Sequence, residues 1–124
     1  MTFDHIALYV TDMARSAAFY GQLLGLEPIP EPFHDGLHLW FRIGPGTALH
    51  IIGLAPSVAP HHITHHMAFR TTSLDTLMPR LDAAGVLYRN FAGDARINIR
   101  PDGIRQIFMQ DPDGYWIEVN EDRA

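Results

Sequence analysis

Residues 65–73, His-His-Met-Ala-Phe-Arg-Thr-Thr-Ser, repeat the pattern of residues 4–12, Asp-His-Ile-Ala-Leu-Tyr-Val-Thr-Asp. At an offset of 61 residues, His66 falls on His5. Each copy is a short apolar run with a histidine near its front and a helix-capping residue behind it. A strand that is repeated with a histidine on the same face predicts a pseudo-symmetric site.

Each copy is the first strand of a half, and the predicted elements of both halves follow the same order: strand, helix and three strands. Asp12 and Ser73 cap predicted helices that each end at a glycine. Turn signals then join the last two strands of each half, Gly-Pro-Gly at 44–46 and Asp-Pro-Asp-Gly at 111–114. Strands are expected over residues 3–10, 37–43, 47–53, 63–71, 86–91, 104–110 and 115–120. The stretch with Pro28, Pro30 and Pro32 is expected to be extended but poorly suited to a central strand.

Two such modules would each leave one face of a sheet bare, and pairing them would bury both faces. The sequence therefore predicts an α+β fold in which two pseudo-symmetric βαβββ modules with curved sheets pack around a shared cavity or core. Module one is expected over residues 1–54, a linker over 55–62 and module two over 63–124, together forming one domain. Pro79 lies inside the second predicted helix, where its missing backbone donor is expected to kink the helix or delay its regular part.

The composition excludes several classes of function. The chain has 124 residues, 47% of them hydrophobic and 19% charged, which is typical of a soluble globular domain. The net charge of −5 argues against a nucleic-acid surface, and the absence of cysteine excludes disulfides and thiolate metal sites. No apolar run is long enough to cross a bilayer, and no secretory signal pattern is present. We therefore expect a cytoplasmic protein that binds neither membranes nor nucleic acids.

Four polar side chains form the candidate site. His5 and His66 occupy matched places in the first strand of each module, and His50 and Glu118 sit among apolar residues in the last strand of each. Three imidazoles and one carboxylate that converge would suit Zn²⁺, Ni²⁺, Co²⁺, Mn²⁺ or Fe²⁺. A buried Glu118 also needs a cation or a donor. Any one of these residues alone is more simply an ordinary polar side chain, but the four together predict a divalent metal site.

The remaining histidines receive other interpretations. His61 and His62 lie in the predicted linker and are expected to be exposed to solvent. His65 has the wrong parity to join the site, because successive side chains of a strand point to opposite faces. His34 and His38 flank a turn and stay undecided.

Five stretches of the chain carry a resemblance to a known family. They are residues 4–7 (Asp-His-Ile-Ala), 19–20 (Phe-Tyr), 23–26 (Leu-Leu-Gly-Leu), 66–69 (His-Met-Ala-Phe) and 108–118 (Phe-Met-Gln-Asp-Pro-Asp-Gly-Tyr-Trp-Ile-Glu). The chain resembles the vicinal oxygen chelate superfamily, which includes glyoxalase I, fosfomycin-resistance proteins, methylmalonyl-CoA epimerase and extradiol dioxygenases. The resemblance implies paired βαβββ modules that form a metal-lined cavity, and usually a homodimer.

The resemblance also implies roles for the candidate residues. His5, His66 and Glu118 match the three recurrent metal ligands of the family. His50 falls where glyoxalase I and the epimerase place a fourth ligand, normally Glu or Gln, so the chain departs from the family there. A histidine at this place would change the acid–base balance of the site.

Two further departures concern the substrate. Bacterial glyoxalase I members carry an arginine where this chain has Tyr9 and an asparagine where it has Leu54, and both help to hold glutathione. A glutathione-adduct substrate is therefore not supported. Arginines at positions 96, 100 and 105 could hold an anionic group instead. The candidates for substrate binding are Tyr9, Arg100 and Trp116.

The favoured function is that of a glyoxalase I-like lyase or isomerase whose small substrate chelates the metal through adjacent oxygens. In that chemistry the metal stabilises an enediolate, and Glu118 or His50 moves the proton. The alternative is an extradiol-type Fe(II) dioxygenase, in which His50 is an acid–base residue and not a ligand. A thiol transferase or hydrolase of the fosfomycin-resistance type is a further alternative, although that branch uses no fourth protein ligand. The intact ligand set disfavours a drug-sequestering protein of the bleomycin-binding type.

Overall fold

The computed structural model describes residues 1–121. The chain divides into two compact units, of which the first is Met1–Ala59 and the second begins at Pro60. No helix in the described part is long and apolar enough to cross a membrane.

The first unit is a four-stranded sheet with one helical segment. Its elements are β1 His5–Tyr9, α1 Met13–Ala17, a π-helical continuation Ala18–Leu23, β2 Glu27–Ile29, β3 His38–Gly44 and β4 Thr47–Ile52. The strand order is β1-β4-β3-β2, in which β1 runs parallel to β4 and the other pairs are antiparallel. Pro28 therefore lies in an edge strand, where proline is tolerated.

The helical segment covers one face of this sheet. Asp12 caps it by accepting a hydrogen bond from the backbone of Arg15. A Cβ atom on Gly21 would lie 3.1 Å from the ring of Phe41, so the helix backbone approaches β3 closely. Leu49 and Ile51 share this face and are fully buried. The opposite face of the sheet is left for polar side chains.

The second unit repeats this plan. Its elements are β5 His66–Thr71, α2 Leu74–Ala83, β6 Tyr88–Arg89, β7 Asn98–Ile99, β8 Arg105–Gln110 and β9 Trp116–Glu121. The strand order is β5-β9-β8-β6, β7 pairs with β8, and β5 runs parallel to β9. Ser73 caps α2 by accepting from the backbone of Thr76, and the helix buries Leu74, Leu77 and Leu81.

The predicted α+β fold is confirmed, with two mixed sheets and few helices, and four details differ. The first helix becomes π-helical, since Leu24 donates to the carbonyl of Phe19 at 3.0 Å. The strand expected at 63–71 starts at His66, because a turn closed by the backbone bond from His65 to His62 precedes it. The short strand β7 was not predicted, and the strand expected at 86–91 spans only two residues. The latter is short because the Asn90 side chain accepts from three backbone donors of the next loop.

One carboxylate ties three elements of the second unit together. Glu121, at the end of β9, accepts from Arg105 of β8 at 2.6 and 2.9 Å and from the backbone N–H of Leu74 in α2 at 2.9 Å. The hydrogen bonds from Arg105 lower the pKa of Glu121 by more than burial raises it. Ionised Glu121 is therefore favoured by the folded state.

The Glu121→Gln variant is expected to lose about 1–2 kcal/mol of stability at neutral pH, because it removes charge-assisted hydrogen bonds. A carboxyl group whose folded-state pKa is lowered contributes stability above its unfolded-state pKa and loses it as the pH falls through the folded value. The difference between wild type and variant should therefore shrink in acid. Urea unfolding at pH 7 and at acidic pH measures it. Glu27→Gln, which breaks the exposed pair with Arg42, is the matched control and should change stability little. A loss at Glu121 that does not depend on pH would contradict this account.

Candidate functional site

The predicted site residues lie on the polar faces of the two sheets, as one pair in each unit. In the first unit His50 lies opposite Ala7 of β1, and His5 is two residues before Ala7 on the same face. In the second unit Glu118 lies opposite Ala68 of β5, and His66 is two residues before Ala68. Both pairs thus have the same diagonal relation across a parallel strand pair, and a small alanine stands beside each.

His66 and Glu118 direct two hydrogen-bond acceptors at each other. His66 Nε2 lies 3.5 Å from Glu118 Oε1. His66 Nδ1 lies 2.8 Å from the carbonyl oxygen of Ile63, which only accepts hydrogen bonds, so Nδ1 carries the proton and the neutral ring keeps its lone pair at Nε2. A cation between the two atoms would relieve the contact of two acceptors.

The spacing of this pair fits a metal ion. Two ligands at the usual zinc distances, about 2.1 Å from the ion, lie about 3.4 Å apart at the tetrahedral angle. The hydrogen bond from His66 to a carbonyl is also the outer contact that orients metal-binding imidazoles in proteins. The chemistry and spacing of His66 and Glu118 therefore fit two ligands of one divalent ion.

Asn120 and Arg70 orient the buried carboxylate. Asn120 Nδ2 donates to Glu118 Oε2 at 2.8 Å, and Arg70 Nε donates to Asn120 Oδ1 at 3.3 Å. Because the guanidinium only donates, the orientation of the amide is determined and its N–H must face Glu118. Glu118, which is 8% exposed, thus has one oxygen satisfied and the other directed to His66.

His5 and His50, in the first unit, differ in which nitrogen is engaged. His5 Nδ1 donates to Asp4 Oδ2 at 2.6 Å, which leaves the distal nitrogen Nε2 free of that contact. His50 is 7% exposed, and its Nε2 lies 2.7 Å from Nδ1 of His38. Burial lowers the pKa of His50, and the nearby His38 and His5 lower it further, so His50 is neutral at physiological pH.

His38 Nε2 lies 3.5 Å from a carboxylate oxygen of Asp35. Since a carboxylate attracts the protonated nitrogen, the tautomer with a proton at His38 Nε2 is favoured, and His38 Nδ1 then accepts from His50 Nε2. His50 Nδ1 is left with the lone pair. Phe33 covers this imidazole pair, with its ring centroid 4.2 Å from His38 and 5.8 Å from His50.

The structure thus contains two pairs and not a complete ligand set. Within residues 1–121, no group of three or more His, Asp or Glu side chains is arranged to hold a metal ion. The ligand set predicted from the sequence, His5, His50, His66 and Glu118, therefore stays a prediction.

The three predicted substrate-binding residues have partners within the protein. The Tyr9 hydroxyl donates to the carbonyl of Leu54 at 3.1 Å. Trp116 Nε1 donates to the carbonyl of His61 at 2.9 Å, and Arg100 pairs with a carboxylate oxygen of Asp102 at 2.6 Å.

The other two arginines that could hold an anion are also paired, Arg96 with Asp82 and Arg105 with Glu121 and Asp75. Sequence reasoning left His38 undecided and did not single out Asn120 or Arg89, and all three lie on the same sheet faces as the predicted residues. Strand parity counted back from the Gly-Pro-Gly turn would have indicated His38, because it shares a face with Trp40, the neighbour of His50.

Comparisons with known proteins agree with this architecture. The Arabidopsis thaliana protein named Glyoxylase I 4 is 25% identical over 124 residues, covering 94% of this chain and 68% of that protein. The Bacillus subtilis (strain 168) protein YwbC, which is uncharacterized, is 29% identical over 121 residues, 93% of each chain. The solved structure of Oxidase ChaP-H2 is similar with a TM-score of 0.80 and 26% identity, covering 100% of this chain and 95% of that chain.

A family model covers nearly the whole sequence. The model described as the Glyoxalase/Bleomycin resistance protein/Dioxygenase superfamily matches residues 2–119. The match spans both compact units and all four predicted metal ligands. This chain belongs to the Glyoxalase/Bleomycin resistance protein/Dioxygenase superfamily.

Proposed function

We propose that the protein is a metal-dependent oxygenase that acts on a small molecule binding through two adjacent oxygens. The metal ligands would be His5, His66 and Glu118, a set of two histidines and one carboxylate that suits Fe(II). The observation that carries the proposal is the difference among the histidines. The distal nitrogens of His5 and His66 are free of their orienting hydrogen bonds, whereas the distal nitrogen of His50 is engaged by His38.

The outer contacts support these roles. When bound, a ferrous ion with open positions supplies redox chemistry toward dioxygen and neutralises charge on the substrate oxygens. Asp4 and the Ile63 carbonyl orient the two imidazoles, and Asn120 holds Glu118 so that one carboxylate oxygen remains available.

His50 would act as the general base. Its low exposure and lowered pKa keep it neutral at physiological pH. The Nδ1 lone pair can accept a proton from a substrate hydroxyl, while the Nε2 proton is held by His38 and, beyond it, by Asp35. The stacked ring of Phe33 shields this pair from water. The likeness to Oxidase ChaP-H2 also favours oxygen chemistry.

A glyoxalase I-like lyase or isomerase is the second candidate. The likeness to Glyoxylase I 4 favours it, as does a neutral base beside a predicted ligand, because proton transfer next to a carbonyl needs one. Glu118 or His50 would then move the proton. The homodimer and the cytoplasmic location are likewise proposals that rest on the family, and light scattering of the purified protein tests the dimer.

Metal content separates the ligand role from the base role. In untagged protein purified without oxygen, His5→Gln, His66→Gln and Glu118→Gln should each reduce bound metal at least about tenfold, because each removes or weakens one of three ligands. His50→Gln should retain the metal. Elemental mass spectrometry measures the amount of metal bound per protein chain. The control is His62→Gln, in the exposed segment before β5. Loss of metal from His50→Gln equal to that of the other variants would make His50 a fourth ligand.

Oxygen consumption separates the two reactions. With catechol as probe, iron-loaded wild type should consume oxygen, and His50→Gln should lower kcat about a hundredfold because a general base is lost. His38→Gln should have a smaller effect in the same direction. An oxygen electrode measures the rate. Turnover of methylglyoxal with a thiol, together with no oxygen uptake on diols, would favour the lyase.

A further inference from the structure

Arg89 is a half-buried cation whose guanidinium lies over an aromatic ring. It lies in β6, and its guanidinium stands 5.0 Å from the centroid of the Trp116 ring. Within residues 1–121 no hydrogen bond or carboxylate contact of the Arg89 side chain is found. A guanidinium withdrawn from water is costly without an anion, and a cation–π contact offsets only part of this cost.

The nearby arginines of the second unit are different. Arg96, Arg100 and Arg105 each form an ion pair with an aspartate or glutamate. Arg70 donates to Asn120. In the described part of the chain, Arg89 therefore differs from these four arginines in having no polar partner for its side chain.

The strand register places Arg89 on the face that bears the candidate metal ligands. Arg89 lies opposite Phe108, and Phe108 lies opposite Glu118. Opposed residues of neighbouring strands share a face, and two strand spacings of about 4.8 Å separate the backbones of Arg89 and Glu118 by about 10 Å. Trp116, under the guanidinium, lies opposite His66. A small molecule could span from Glu118 to Arg89.

The cation is held in place before any ligand arrives. Trp116 is fixed by its hydrogen bond to the His61 carbonyl at 2.9 Å. On another side the guanidinium lies against Gly93, where a Cβ atom would overlap it. Gly93 also has a φ of 83°, which glycine adopts without strain. A positioned guanidinium loses little side-chain entropy when it binds an anion.

The body of such a ligand would meet aromatic side chains. Phe108 lies between Arg89 and Glu118 in the register, and the Phe91 ring packs edge-on to it at 5.7 Å. Phe108 is 3% exposed and Phe91 is 43% exposed, so Phe91 supplies the accessible part of this apolar surface. A ligand that reaches from Arg89 toward Glu118 would thus meet a cation at one end, the exposed Phe91 ring that packs on Phe108, and a carboxylate at the other end.

We propose that Arg89 binds a carboxylate of the substrate, which makes the substrate an anionic aromatic or apolar molecule with two adjacent oxygens at its other end. A guanidinium matches a carboxylate in a two-bond, planar geometry that no neutral group reproduces. This inference rests on the proposed function for the adjacent oxygens, whereas the anion contact depends on Arg89 alone.

The test compares catechol with 3,4-dihydroxybenzoate, which differ by one carboxylate. Binding to iron-loaded protein is measured by calorimetry without oxygen. Wild type should bind 3,4-dihydroxybenzoate on the order of ten- to a hundredfold more tightly than catechol, as expected for a charge-assisted hydrogen-bonded pair. Arg89→Met should abolish this preference and leave the affinity for catechol unchanged. Arg89→Lys keeps the charge without the planar geometry and should retain part of the preference.

Arg15→Met is the matched control, because Arg15 is an exposed arginine on α1 and should not affect either ligand. A preference that persists in Arg89→Met would overturn the inference. If neither diol binds wild type, the proposed function fails, and benzoate then tests Arg89 by itself. Binding of benzoate to wild type and not to Arg89→Met supports the anion contact; no binding of benzoate to wild type overturns it.

Discussion

The parallel pairing of the first strand of each unit with its last strand is the constraint on which the rest of the structure depends. β1 lies beside β4, and β5 beside β9, although a helix and two or more strands separate them in sequence. This pairing brings a histidine near the start of the unit next to a polar residue near its end. The same diagonal relation occurs twice, and an alanine in each first strand leaves room beside the polar side chain.

The two units use this arrangement differently. In the second unit, a carbonyl and an amide direct His66 and Glu118 toward each other. When the His66 ring is neutral, its proton is on Nδ1, so the facing Nε2 and the Glu118 oxygen are both acceptors. In the first unit, a second imidazole engages the distal nitrogen of His50. The repeat thus preserves the geometry of the backbone while the side chains around it assign different chemistry to equivalent positions.

Local signals predicted much of the fold. Asp12 and Ser73 cap helices where expected, and the Gly-Pro-Gly segment joins an antiparallel pair. These features depend on interactions within a few residues. The π-helical turn and the short β7 were missed because they depend on packing and on pairing with distant segments. The stretch with Pro28 was expected to be unsuited to a central strand, and β2, which contains Pro28, is an edge strand of its sheet.

The sequence by itself determined which residues could form the site, because period-2 alternation places His5 and His66 on one face of their strands and the repeat matches them. Only the tertiary structure decided what each can do. Whether a ring nitrogen is free, engaged or oriented depends on partners such as Ile63, His38 and Asn120, and whether an arginine is paired depends on Asp82, Asp102 or Glu121. Those contacts are determined by register between strands far apart in the chain, and periodicity along one strand carries no information about its neighbour.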